Sequence, residues 1–282
     1  MKIVTTISEL KTAVAAARNE GKTVGLVPTM GALHKGHLSL VGRACDECQF
    51  VVVSIFVNPT QFNNPDDLRT YPRTLDADVE LLTANTRADV VFAPTAQEIY
   101  PEPDTRVFEL GPIAEVMEGK YRPGHFNGVC QIVSKLFMYV EPDKAYFGEK
   151  DFQQLAIIRK MVADLKFNIE IVPCPIVREE SGLAVSSRNV LLTEASRKIA
   201  PLIHKALKAS VTLMTDHTPK ETANWVVGQL NSTKGFEVEY YDIVDGNTLQ
   251  TITSWNETNY VVGCITVYAG KVRLIDNITY KK

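Results

Sequence analysis

The stretch Phe50-Val51-Val52-Val53-Ser54-Ile55-Phe56-Val57 restricts the fold of this chain more than any other. It is apolar without alternation, which is the pattern of a strand covered on both faces, and such strands belong to parallel sheets wrapped by helices. Its neighbours fit that frame. Residues 6–19 read as a helix, with capping-box spacing from Thr6 to Glu9 and Gly21 after its end. Residues 23–28 read as a strand, and a helix runs from near Gly36 to Glu47. Further along come a helix over 74–84, a strand over 89–93 closed by Pro94, a helix over 126–139 and a strand over 144–147. A helix over 151–165 and a strand over 168–172, stopped by Pro173 and Pro175, complete the series. Strand–helix alternation of this length predicts a doubly wound α/β domain with a parallel sheet over residues 1–176.

The pattern changes after residue 176. Helices are expected over 194–214 and 219–230, then three strands over 236–244, 259–268 and 271–276. Turn residues such as Asp245-Gly246-Asn247 and Ala269-Gly270 separate them, and short connections imply antiparallel pairing. Residues 177–282 therefore form a second, smaller α+β domain with a short antiparallel sheet.

Composition sets the limits on function. The chain has 282 residues, 45% apolar and 22% charged, with a formal net charge of −3. Nothing in that balance attracts nucleic acid or an anionic membrane, so groups that bind phosphate must be few and placed. No apolar run is long enough to span a bilayer. Met1 to Thr6 carries no signal-peptide core, so the expected location is the cytoplasm. Five scattered cysteines argue against a disulfide framework. Cys45 and Cys48 form a C-x-x-C, read as two small buried hydrophobes on a helix face rather than a metal or redox site.

Four polar segments follow strand ends or open the second domain. Thr29-Met30-Gly31-Ala32-Leu33-His34-Lys35-Gly36-His37 joins a strand to a helix. A helix N-terminus presents N–H groups to phosphate, and His34 and His37, three apart, point to one side. Gly36 would let the backbone approach a nucleotide closely. Two solvated histidines at a helix start are the alternative. No Walker A pattern occurs. Asn58-Pro59-Thr60-Gln61 follows the most buried strand; its amides suit hydroxyl and carboxylate groups, or form an ordinary Asn-Pro turn. Gly148-Glu149-Lys150-Asp151-Phe152-Gln153-Gln154 again joins a strand to a helix, either as a phosphate and ribose contact or as a capped helix with solvated charges. Val185-Ser186-Ser187-Arg188-Asn189 offers two hydroxyls and a guanidinium, an anion clamp or a polar hinge loop.

Taken together, PTMGALHKGH, SIFVNPTQF, FGEKDFQQ, SSRN and the stretch Tyr121-Arg122-Pro123-Gly124-His125-Phe126 resemble the pantoate–β-alanine ligase family of HxGH nucleotidyl-transfer enzymes. That resemblance implies a Rossmann-like N-terminal domain, a C-terminal lid domain and a homodimer. It implies condensation of (R)-pantoate with β-alanine, ATP going to AMP and pyrophosphate through a pantoyl adenylate, with Mg²⁺ required, on the route to coenzyme A. It places ATP on Met30, Gly31, Ala32, Leu33, His34, Lys35, Gly36 and His37, on Gly148, Glu149, Lys150 and Asp151, on Val177, and on Val185, Ser186, Ser187 and Arg188. Pantoate falls to Gln61 and Gln154, and β-alanine to Gln61 and Asn58. The catalytic groups implied are His37 (a proton donor), His34, Lys150, Ser186, Ser187 and Arg188. Thr60 stands where many relatives have Met. Metal ligands stay open: Asp76 and Asp78 follow the substrate loop, and a helix start favours acids in any case.

Rival readings are another HxGH nucleotidyltransferase, a non-catalytic nucleotide-binding module, and a nucleic-acid-binding synthetase. The first leaves Asn58, Gln61 and Gln154 without a purpose. The second has no need of His34, His37 and Lys150 together. The third lacks a basic patch with interleaved aromatics.

Overall fold

The computed structural model describes residues 1–282 as two units. The first comprises Met1–Leu110, Arg122–Glu149 and Gln154–Pro175. The second comprises Gly111–Tyr121, Lys150–Gln153 and Ile176–Lys282.

A six-stranded sheet forms the first unit: β1 (Lys2–Val4), β2 (Val24–Thr29), β3 (Phe50–Ile55), β4 (Val90–Phe92), β5 (Lys144–Gly148) and β6 (Glu170–Cys174). Every pairing is parallel, in the order β1-β4-β3-β2-β5-β6. All six residues of β3 are buried, as its unbroken apolar run requires. Helix Lys35–Glu47 packs on β2, β3 and β5, and helices Ile7–Asn19 and His125–Val140 pack together and against β2. Leu40, Val41 and Ala44 of helix Lys35–Glu47 meet Val51, Val53, Val91 and Tyr146 in one cluster. The chain leaves β2 outward through β3 and β4, then returns to add β5 and β6 on the other side. Strand order thus reverses between β2 and β5, and ligands in open α/β sheets bind at the carboxyl ends beside such a point.

The capping box is formed: Thr6 Oγ1 accepts from the Glu9 N–H, and Glu9 accepts from the Thr6 N–H. Two expectations at prolines differ from the structure. β6 continues through Pro173, which pairs in register with Phe147. It does so because β6 is an edge strand, where a missing N–H faces no partner. Conversely, the single helix expected over 194–214 is broken into Glu194–Ile199, Leu202–Ser210 and a 3-10 turn at Val211–Thr215. Pro201, at the first break, supplies no N–H to continue the ladder.

The second unit carries the antiparallel sheet β7 (Phe236–Asp245), β8 (Val261–Ala269) and β9 (Val272–Lys281), adjacent in that order. Helices Leu202–Ser210 and Pro219–Asn231 cover it through Ile203, Leu207, Val226 and Leu230, packed on Ile243, Ile265, Val267 and Leu274. No helix is long and apolar enough to cross a membrane.

Cys45 is half-buried on helix Lys35–Glu47. Cys48, just beyond the helix end, is buried with its sulfur 3.4 Å from the Tyr146 hydroxyl. Burial pushes both thiols up, so they stay protonated.

Candidate active site

The loop after β2 and the helix it enters form a capping box built from histidines. His34 is the N-cap of helix Lys35–Glu47, and its Nδ1 accepts from the Gly36 N–H at 3.1 Å. The Nδ1 of His37 accepts from the His34 N–H at 3.3 Å. A ring nitrogen that accepts carries no proton, so each neutral imidazole bears its hydrogen on Nε2. The rings stack with centroids 4.0 Å apart. Two Nε2–H donors are thereby aligned side by side at a helix N-terminus, an arrangement suited to adjacent oxygens of a phosphate chain. Gly36 has a different reason from the one its place in the motif suggests. A Cβ there would lie 2.9 Å from His34 Cε1 and Nδ1, so glycine makes room for the capping ring.

The loop itself is held from beneath. Gly31 and Ala32 are left-handed, with φ of 78° and 48°. Their turn is fixed by the buried carboxylate of Asp78, which accepts from Ala32 N at 2.9 Å, Leu33 N at 2.7 Å and Thr74 Oγ1 at 3.1 Å. Asp78, one of two acids considered for a metal, is thus a loop anchor. No three His, Cys, Asp or Glu side chains converge as a metal-binding group. A cavity of about 370 Å³ lies against Met30, Gly31, Val57, Pro59, Arg73 and Asp78.

Gln61 follows β3 in a 3-10 turn, Pro59–Gln61. Its Nε2 lies 3.0 Å from Met30 Sδ, which joins the ends of β2 and β3. Asn58, assigned to β-alanine by resemblance, is 1% exposed and fully engaged. Its Nδ2 donates to Gln61 Oε1 (3.2 Å) and Gly128 O (3.0 Å), while its Oδ1 accepts from Tyr100 Oη (2.8 Å) and Thr60 Oγ1 (3.2 Å). An amide has two donors and two acceptor sites, so none is left for a ligand. A methionine at position 60 could not make the Thr60 bond. His125 Nδ1 donates to Gln61 O at 2.8 Å, since a carbonyl only accepts, and its Nε2 faces Arg122 Nη1 at 3.2 Å. Sequence reasoning missed Tyr100, Gly128 and the link from His125 to Gln61. A Cβ on Gly128 would lie 2.3 Å from Thr60 O, so the helix can approach this turn only through glycine.

In the second unit, Val177 and Val185 lie opposite one another in a tight hairpin. Val185 N donates to Val177 O (3.0 Å), with an Arg178–Ala184 bridge inside it. Ser186 caps the following 3-10 turn, Ser187–Leu191, accepting from Arg188 N. Arg178 pairs bidentately with the buried Asp276 of β9, at 2.7 and 2.9 Å. The adjacent Asn277 donates from Nδ2 to Lys150 O at 3.1 Å. Two neighbouring residues of β9 therefore anchor both the hairpin and the Lys150 backbone, a role the sequence did not disclose. Gln153 is spent on Glu118 N, Ile113 O and Val116 O, whereas its neighbour Gln154 is half-buried. Gly148 ends β5, Glu149 begins the 3-10 turn Glu149–Asp151, and Asp151 is exposed.

A family model for pantoate–β-alanine ligase matches residues 2–279. Pantothenate synthetase of Porphyromonas gingivalis is 61% identical over 281 residues, covering all of both chains, and that of Phocaeicola vulgatus is 61% identical over 282. Among solved structures, pantothenate synthetase from Thermus thermophilus superposes with a TM-score of 0.93 at 43% identity over the whole of both chains. Pantoate–β-alanine ligase from Francisella tularensis, complexed with β-γ ATP and β-alanine, gives 0.84 at 38% identity, covering 99% of this chain and 98% of that one. The chain belongs to the pantoate–β-alanine ligase family.

Proposed function

We propose that the protein joins (R)-pantoate to β-alanine, converting ATP to AMP and pyrophosphate through a pantoyl adenylate. The observation that carries this reading is the Met30–Gln61 contact, which sets an amide for the acid beside a loop that ends in two aligned imidazoles. Pantoate lies on Gln61 and Gln154, with Gln61 also near β-alanine. ATP lies on residues 30–37 and 148–151, on Val177 and on residues 185–188. Asn58 serves β-alanine only through Gln61.

In the first step a pantoate carboxylate oxygen attacks the α-phosphorus in line, and the bond to pyrophosphate breaks. Both partners are anions, so the barrier falls chiefly through positioning and opposed charge. The Nε2–H groups of His34 and His37, with Lys150, Ser186, Ser187 and Arg188, supply donors to the phosphate oxygens; to act as the proton donor His37 takes up a second proton on Nδ1, which then gives up the His34 N–H. In the second step the β-alanine amine attacks the acyl carbon, the bond to the phosphate oxygen breaks, AMP leaves, and the nitrogen releases a proton to solvent as the amide forms. A mixed anhydride hydrolyses readily, so the reacting centre must exclude water between the steps.

Magnesium enters as Mg·ATP, part of the substrate. Asp78 is committed to the loop, and the ion would be held mainly by phosphate oxygens and water. The enzyme works as a cytoplasmic homodimer on small molecules and engages neither nucleic acid nor membrane.

The test is AMP release from ATP with pantoate and β-alanine each omitted in turn. One AMP per pantothenate, requiring both acids, is expected. No AMP from the complete mixture would sink the reading.

A further inference from the structure

The Gly128 carbonyl is a fixed reference for every amide near it, because it can only accept. It forces the nitrogen of Asn58 to face it, at 3.0 Å. The oxygen of Asn58 then faces the opposite way, where the Tyr100 hydroxyl donates to it at 2.8 Å and Thr60 at 3.2 Å. The second N–H of Asn58 meets Gln61 Oε1 at 3.2 Å, so Gln61 must turn its own nitrogen outward. That nitrogen now rests against Met30 Sδ, a weak acceptor that a ligand oxygen displaces at little cost.

We propose that Tyr100 is a positioning residue: by donating to the Asn58 oxygen it reinforces the orientation that the Gly128 carbonyl sets, and so helps hold Gln61 with an N–H donor rather than a carbonyl oxygen presented to the acid substrate. The proposal rests on the reading of Gln61 as the pantoate glutamine. Pantoate is rich in oxygen acceptors, and a flipped Gln61 would aim a lone pair at its carboxylate. Tyr100 follows the short helix Ala96–Ile99, beyond β4, so a third strand end contributes to the site without touching substrate. Its ring lies 6.4 Å from that of Phe56, and the Lys135 ammonium stands 5.3 Å from its centroid, which holds the hydroxyl in place. Burial pushes the phenol up, so it remains a donor wherever the enzyme works.

Tyr100→Phe removes one oxygen, and with it the donation to Asn58 and a 3.4 Å contact with Thr60 Oγ1. The expected result is a rise of roughly threefold to tenfold in KM for pantoate, the worth of one neutral hydrogen bond. KM for ATP and Tm should hold. The side-chain amide resonances of Gln61, assigned in ¹⁵N-labelled protein with a Gln61→Glu variant, should shift in Tyr100→Phe. An unmoved Gln61 resonance with unchanged KM for pantoate overturns the relay. So does an equal rise in KM for ATP with a fall in Tm, which marks a purely structural tyrosine. If wild-type protein makes no AMP from pantoate and β-alanine, the functional reading fails instead; a moved resonance then still establishes the relay.

Discussion

Single side chains here do two things at once, and His34 is the clearest case. It caps a helix through Nδ1 and leaves its proton on Nε2. Substitution can separate these roles. Asparagine is among the best N-caps, and loss of a cap costs about 1 kcal/mol. His34→Asn should therefore keep the helix start and the Tm while removing the imidazole donor. A positioned donor to a developing phosphate charge is worth roughly 10²–10³ in rate, so kcat should fall by about that much. Thermal unfolding and AMP release on the same sample check both halves; a Tm loss with kcat intact would reverse the assignment. The histidine pair was legible because three-residue spacing at a helix start needs only local geometry. Asn58 was half legible. Its amide is chemically suited to a ligand, but what engages it comes from Tyr100 and Gly128, 42 and 70 residues away in sequence. Nothing local marks such partners.

At the scale of elements, strands and long helices were readable because their periodicity spans many residues. The apolar run of β3 and the capping box of helix Ile7–Asn19 are examples. Lys2–Val4, Ala96–Ile99 and Met117–Tyr121 are too short for any period to show. Pro173 was expected to stop its strand and does not, whereas Pro201 went unread and breaks the helix expected over 194–214, since the cost of a proline depends on whether its missing N–H had a partner. Helix Leu75–Asn85 shows how an element beneath a loop can govern it. Its Asp78 holds the loop that carries Met30 to Leu33. Asp78→Ala strips the acceptor from two N–H groups and should cost about 1–3 kcal/mol. Because the turn left without its anchor leads into the histidine box, KM for ATP should rise more than KM for β-alanine. Initial-rate kinetics varying each substrate in turn measure the split. Equal effects on both would mean that Asp78 supports only the fold.

At the scale of the whole molecule, the two compact units interleave along the chain. Gly111–Tyr121 and Lys150–Gln153 belong with Ile176–Lys282 because of contacts such as Gln153 with the 113–118 backbone and Arg273 with Glu118. Pairings that distant have no signature in a linear pattern. Ion pairs formed within a few residues decide how the molecule responds to acid. Asp104, whose side chain is 4% exposed, accepts from Arg106 Nε and Nη2, and that guanidinium holds its carboxyl down at about 2. Glu47 is likewise held at about 2, first by Arg43 and then by Lys144. Unfolded, both would titrate near pH 4. Each native carboxylate thus binds its proton at lower pH than the unfolded chain does. The stability they contribute is complete above about pH 4–5 and is lost as pH falls through about 2. The urea midpoint should accordingly drop between pH 5 and pH 2. In Asp104→Asn the midpoint at neutral pH should be lower and the acid drop shallower. Because the Arg43–Glu47 pair is partly solvated, Glu47→Gln should show the same pattern more weakly. Parallel pH profiles for wild type and Asp104→Asn would mean that the Arg106 pairing does not persist in solution.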